Sequence, residues 1–267
     1  MLNPRHPSPV TFHMLYIGTS GFQYDDWVGA YYPDDLPKQE WLAHYAQEFR
    51  TLEINFTYYR MPTARGLAGM AKKAPDDFVF TVKATQEMTH ARERAPEIVK
   101  QFVSALQPLR DEKKLGAILA QFPNSFRATG ESRDYLKWLR AELGMLPLVV
   151  EFRNKEWLSA ETYALLRENT IGFCCVDEPY FPRVAETTSP VAYVRFHGRN
   201  YKKWWKHEHA WERYDYTYTV EELQEWTPKI EQMNALAENT FVFANNHYRA
   251  QGIDTARQLK LLLPGAA

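Results

Sequence analysis

Leu148-Val149-Val150-Glu151-Phe152-Arg153 is an apolar, β-branched run that ends in Glu-x-Arg. The run has the composition of a strand covered on both faces, as strands of parallel sheets are. Residues two apart on a strand share a face and sit about 6–7 Å from each other. Glu151 and Arg153 therefore point one way, while Val150 and Phe152 point the other. Apolar runs closed by polar residues recur at Glu53-Ile54-Asn55, at Arg195-Phe196-His197 and at Asn245-Asn246. A fold that gathers the ends of successive strands at one point follows from this repetition.

Leu15-Tyr16-Ile17 reads as the first strand, closed by Gly18-Thr19-Ser20-Gly21, whose glycines permit a tight turn or close approach to a ligand. Residues 78–83, 115–122, 171–177, 191–197 and 241–243 supply further strands. Between them apolar residues recur at helical spacing, as in Trp41, Leu42, Tyr45, Ala46 and Phe49, or Tyr135, Leu136, Leu139 and Leu143. Residues 63–73 and 159–168 read as helices, the latter capped by Ser159. Leu223, Trp226, Ile230, Met233 and Leu236 form one more stripe, and Ala256, Leu259, Leu262 and Leu263 the last. The connection between strands six and seven lacks a helical pattern. Eight strands alternating with helices in about 250 residues predict a single α/β domain, a (β/α)8 TIM barrel with a parallel core and long aromatic loops at its C-terminal face. No G-x-G-x-x-G follows the first strand, which removes the best argument for a dinucleotide fold. Residues 14–267 read as one barrel domain; 1–13 read as a disordered tail or a remnant ahead of it.

Composition excludes several functions. A net charge of −1 and a pI near 6.7 argue against a nucleic-acid protein that works through bulk electrostatics. No stretch approaches the roughly 20 apolar residues of a membrane helix, and the first residues lack the apolar core of a signal peptide. Cys174 and Cys175 are adjacent on a strand and face opposite ways, so neither a disulfide nor a zinc cluster is offered. A soluble, cytoplasmic protein is expected. Oligomeric state leaves no mark on the sequence.

The ordered run Ile17-Gly18-Thr19-Ser20-Gly21-Phe22-x-Tyr24-x-x-Trp27-x-Gly29, then Tyr32-Pro33, Glu53-Ile54-Asn55-x-Thr57-x-Tyr59-Arg60, Phe80-x-x-Lys83, Gln121-Phe122-Pro123, Glu151-Phe152-Arg153, Arg195-x-His197-Gly198-Arg199 and Asn245-Asn246, resembles the YecE-like family, domain of unknown function 72. The resemblance covers nearly the whole chain from Leu15. Phe22 stands where the family often has Trp, and Ala244 where Phe is common. The resemblance implies a barrel of the xylose-isomerase-like kind and no settled reaction.

Active sites of such barrels lie at the C-terminal ends of the strands. Glu53, Lys83, Glu151, Asp177 and His197 are therefore the candidate catalytic residues. Thr19, Ser20, Tyr24, Trp27, Asn55, Gln121, Arg153, Arg195, Asn245 and Asn246 are candidates for substrate binding. Glu151 suits a general acid or base and Arg153 an anion clamp. Lys83 would suit a Schiff-base lysine if nearby cations lowered its pKa. Glu53, Glu151, Asp177 and His197 supply oxygen and nitrogen ligands for a divalent metal. Lys83, Arg153 and Arg195 share their rim, however, so an anionic ligand ranks above a metal and no cofactor is expected. The loop from Arg199 to His207 mixes cations with Tyr201, Trp204 and Trp205, and an active-site lid is preferred to a single-strand nucleic-acid site. The leading expectation is an enzyme using acid/base chemistry on a small anionic or polyhydroxylated, sugar-like substrate; hydrolase, lyase and isomerase all fit. The alternatives are a metal-dependent phosphodiesterase or nucleic-acid-binding barrel, and a ligand-binding barrel without turnover.

Overall fold

A computed structural model describes residues 13–92 and 95–267. In chain order its elements are β1 (Met14–Ser20), α1 (Trp41–Glu48), β2 (Thr51–Ile54), α2 (Ala64–Lys73), β3 (Val79–Lys83), α3 (Pro96–Ala105), α4 (Gln107–Asp111), β4 (Leu115–Gln121), α5 (Gly130–Leu143), β5 (Leu148–Glu151), α6 (Ala160–Glu168), β6 (Ile171–Asp177), β7 (Val191–Phe196), α7 (Val220–Gln224), α8 (Thr227–Leu236), β8 (Asn239–Ala244) and α9 (Gln251–Leu262). Each strand pairs in parallel with the next, and β1 pairs with β8, so the sheet closes into a (β/α)8 barrel. Closure removes the exposed edges that an open sheet would leave.

Alternation along the strands divides the apolar residues into two cores. Tyr16, Ala117, Leu119, Val149, Cys174, Val176, Tyr193, Phe241 and Phe243 fill the barrel interior. Ile17, Leu52, Ile54, Val82, Ile118, Val150, Cys175, Val194 and Val242 pack outward against the helices. The two cysteines thus face opposite ways, as their adjacency predicts, and both are free thiols. The Thr63 and Ser159 hydroxyls cap α2 and α6, accepting from the amides of Gly66 and Thr162.

Three features depart from the sequence reading. β1 does not stop at Ile17 but runs to Ser20, and the turn falls to Gly21, whose φ of +86° suits glycine. Gly18 is needed for space rather than for a turn: a Cβ there would meet Thr51 O at 2.4 Å and Tyr45 Oη at 2.9 Å. Gly18→Ala should accordingly cost about 1–3 kcal/mol, the usual range for overpacking. Urea unfolding checks this, and an unchanged midpoint would refute the close approach. The stripe from Leu223 to Leu236 is two helices, because Pro228 has no amide to continue α7 and instead starts α8; Leu236 is exposed. Residues 1–12 of the expected tail lie outside the described residues, while His13 Nδ1 sits 2.6 Å from Ala237 O. The connection between β6 and β7 has no helix, as expected. No helix among the described residues is long and apolar enough to cross a membrane.

Candidate active site

The parity that sorts the apolar core also sorts the polar strand ends. Continuing the inward face of each strand leads to Ser20, Glu53, Lys83, Gln121, Glu151, Arg153, Glu178, Arg195, His197 and Asn245. Arg195 is the hub of this layer. Its guanidinium is 1% exposed and donates to Glu151 Oε2 and to Glu53 Oε1, both at 2.7 Å, with Ser20 Oγ at 3.4 Å. Tyr193 Oη donates to the second oxygen of Glu53 at 2.7 Å and lies 2.8 Å from Thr81 Oγ1. The second oxygen of Glu151 is 2.5 Å from Arg153 Nη2 and 3.6 Å from His197 Nε2. Arg153 pairs in turn with Glu178 through Nη1, and its Nη2 is 3.1 Å from His197 Nε2. The Asn245 amide holds the other side of that ring, 2.8 Å from Nδ1.

Such a layer survives burial because opposite charges are interleaved and hydrogen-bonded. Burial alone would raise the Glu151 carboxyl, yet Arg153, Arg195 and His197 together hold it well below the usual carboxylate range. His197 is driven down to about 3, first by burial and then by Arg153, so its imidazole is neutral at ordinary pH. Neither residue changes protonation near neutrality. Two groups facing the mouth do. Burial pushes Glu178 up to about 7, against the pull of Arg153 and with the help of Glu151. Burial and the Arg195 charge bring Lys83 down to about 8.

Above this layer opens a cavity of about 620 Å³. Lys83, Gln121, Arg153 and Glu178 reach it from the strand ends, and Tyr58, Trp204 and Tyr214 stand among its walls. Lys83 Nζ donates to Gln121 Oε1 at 3.1 Å and lies 4.8 Å from the Tyr58 ring centre. A larger groove, about 720 Å³, lies on the flank and is lined by Lys38, Arg60, Arg65 and Lys73 among others. It takes no residue from the inward polar layer, so the mouth cavity is the candidate site.

The family model described as "Protein of unknown function DUF72" matches residues 16–266. The chain belongs to the DUF72 family. UPF0759 protein YunF of Bacillus subtilis (strain 168) is 32% identical to it, over 94% of this chain and 95% of that protein. A DUF72 family protein from Thermotoga maritima superposes with a TM-score of 0.87 at 40% identity, covering 94% of this chain and 99% of that one. A second, from Enterococcus faecalis, does so with a TM-score of 0.83 at 26% identity, covering 94% and 95%.

In this DUF72 barrel several residues expected at the site lie elsewhere. Asp177, named as catalytic from the sequence, is on the outward face of β6. There it accepts from Arg199 Nη2 at 2.8 Å, Trp226 Nε1 at 2.7 Å and Tyr218 Oη at 2.9 Å, with Arg183 Nε at 3.1 Å. It ties the β7 exit loop and α8 to the barrel wall. Thr19 also faces outward, donating to Gly21 O at 2.7 Å beside Tyr45 Oη. Asn246 donates to Tyr216 O and Thr255 Oγ1, both at 2.9 Å. Trp27 is fully buried and donates to His247 O at 2.7 Å, serving the packing of the first loop. Tyr24 stacks on His247 with centroids 4.5 Å apart and bonds Ser20 O, which places it beside the polar layer. Asn55 is partly exposed just past β2 and does not line the cavity.

The DUF72 site also holds residues that the sequence reading missed. Glu178 is the most consequential. Tyr58, His90 and Tyr214 come from short helical turns and Tyr180 from a loop, segments too short for periodicity to announce direction. Of the four sequence candidates for a metal, Asp177 faces away from the rest, while Glu53 and Glu151 are already committed to guanidinium groups. Among the described residues no group of three or more His, Cys, Asp or Glu side chains is placed to hold a metal ion.

Proposed function

We propose that the protein is an enzyme whose barrel mouth captures a small anion, of hydroxy-acid or sugar-acid type, and carries out acid/base chemistry on it. The observation that carries this reading is the meeting of Arg153, Lys83 and Glu178 on one cavity at the C-terminal ends of the strands. Arg153 and Lys83 offer charge-assisted donors to the anionic end of a ligand. Glu178, with a pKa of about 7, holds and releases a proton at neutral pH. Tyr58, Trp204 and Tyr214 give walls suited to the flat faces of a sugar-like body. Glu151, Glu53 and Arg195 form the rigid floor that keeps the Arg153 fork in position.

Binding and proton uptake are coupled in this arrangement. When Glu178 takes a proton, its ion pair with Arg153 weakens and Nη1 becomes available to an incoming anion. Anion affinity should therefore rise as the pH falls through about 7, and protonation of Lys83 acts in the same direction. A calorimetric screen of small hydroxy acids, oxo acids and sugar phosphates, run at pH 6 and pH 8, tests this. Arg153→Lys keeps the charge but loses the planar fork, and it should weaken binding roughly tenfold, the worth of one charged hydrogen bond. Unchanged affinity in Arg153→Lys, or equal affinity at the two pH values, would count against the reading.

A further inference from the structure

Lys83 stands apart from the two arginines of the inward polar layer. Arg195 and Arg153 are each locked between carboxylates. Among the described residues Lys83 forms no salt bridge; its contacts are the neutral amide oxygen of Gln121 and the ring face of Tyr58. The nearest acids of the floor, Glu53 and Glu151, are already held by guanidinium groups. Lys83 is nevertheless open to the mouth cavity, being only partly covered at the end of β3. An amine placed in this way is held in position with no carboxylate paired to it, and burial with the Arg195 charge outweighs the more distant pull of Glu151 and Glu53, which is the environment of a nucleophilic lysine.

From this geometry we infer that Lys83 is a covalent nucleophile that forms a Schiff base with the carbonyl carbon of a small oxo acid whose carboxylate is held by Arg153. The inference rests on the anion-binding reading of the same cavity and makes its ligand a carbonyl-bearing acid rather than a simple hydroxy acid. In the step, the Nζ lone pair forms the C–N bond while the carbonyl π bond opens and its oxygen takes a proton, giving a carbinolamine. Loss of that hydroxyl as water, with a proton leaving nitrogen, leaves the C=N bond. No oxidant or reductant is involved. Glu178, on the same cavity, is the group able to deliver and remove the protons. Lowering of the lysine from 10.5 to about 8 raises the fraction present as free amine at neutral pH by roughly 300-fold.

Reductive trapping tests the inference. The full-length protein is incubated with glyoxylate and cyanoborohydride, which reduces an imine in preference to the free aldehyde, at neutral pH, digested and mapped by mass spectrometry, with Lys83→Arg as the comparison. Hydride adds to the imine carbon and fixes the adduct as a secondary amine. The expected result is one reduced glyoxylate per chain on the peptide containing Lys83, at least tenfold above any surface lysine. The adduct should be lost in Lys83→Arg and suppressed by glycolate, which has the carboxylate but no carbonyl. Melting temperature and circular dichroism establish that Lys83→Arg is folded, and Lys83→Met serves in its place if it is not. Labelling spread over surface lysines, or a Lys83 adduct that glycolate does not suppress, overturns the inference. Glyoxylate and glycolate binding in calorimetry without an adduct also overturns it, while leaving the anion site standing. Absence of both binding and adduct removes the two readings together.

Discussion

Glu178→Gln should abolish most of the turnover of whatever substrate the calorimetric screen identifies, lowering it by roughly 10²–10⁴-fold, the usual contribution of a positioned acid/base group. The amide matches the carboxyl in shape and still fills the space against Arg153, but it cannot carry a proton. Binding should change far less than turnover, because Arg153 keeps its anchor on Glu151 at 2.5 Å. The rise in anion affinity on lowering the pH through about 7 should flatten at the same time, since the group whose burial places it there is gone. Lys83, near 8, leaves a weaker residual dependence at higher pH. Turnover measured with saturating substrate across pH 5–9 separates these effects. Activity within a few-fold of the parent would assign the proton transfer elsewhere.

Replacement of Arg195 should be the most damaging single change to stability. Its guanidinium joins two carboxylates that are themselves fully buried, Glu53 and Glu151, each at 2.7 Å. Arg195→Met strips Glu53 of its guanidinium, leaving it the Tyr193 hydroxyl, and leaves Glu151 with the Arg153 guanidinium alone; breaking a buried pair in this way costs about 3–5 kcal/mol. In a chain of this size that is a fall in melting temperature of roughly 6–20 °C. Adding Glu53→Gln and Glu151→Gln removes the stranded charges and should recover at least half of the loss. A loss below about 1 kcal/mol in Arg195→Met would refute the hub. The pH dependence carries the same sign. Glu151 is ionised in the folded state far below its ordinary range, so the unfolded chain binds more protons there and stability falls as the pH drops below about 4.5. His197 adds to this at higher pH. Folded, it resists protonation until about 3, while unfolded it binds a proton from about 6.5, so its contribution is complete above 6.5 and declines as the medium is acidified.

Much of this architecture is legible in the residues. Glu151 and Arg153 meet at 2.5 Å because Arg153, two residues past the end of β5, keeps the parity of the strand. The same rule carries further than the terminal residue of each strand. Cys175 and Asp177 share a face, as do Cys174, Val176 and Glu178, so Asp177 leaves the barrel wall outward and Glu178 enters it. Ser20 and Asn245 take the inward places that their neighbours Thr19 and Asn246 do not. Position at a strand end is therefore a weaker guide than parity with the inner core. What the sequence does not carry is the depth of each charge. Glu151 has the look of a general base, yet its contacts with two arginines hold it ionised, and the titrating role passes to Glu178, one ion pair higher. Nor does it carry loop direction: Tyr58 and Tyr214 reach the cavity, and Trp27, equally aromatic, is spent on packing.

Carboxyl ¹³C NMR of side-chain-labelled protein reads whether a carboxyl at the barrel mouth titrates at neutral pH beside a bound anion. One glutamate signal with a midpoint near 7 is expected, missing in Glu178→Gln and shifted to higher pH by saturating anion, because a second negative charge disfavours the ionised form. A spectrum in which every glutamate titrates below about 5, or in which the signal near 7 persists in Glu178→Gln, would contradict it.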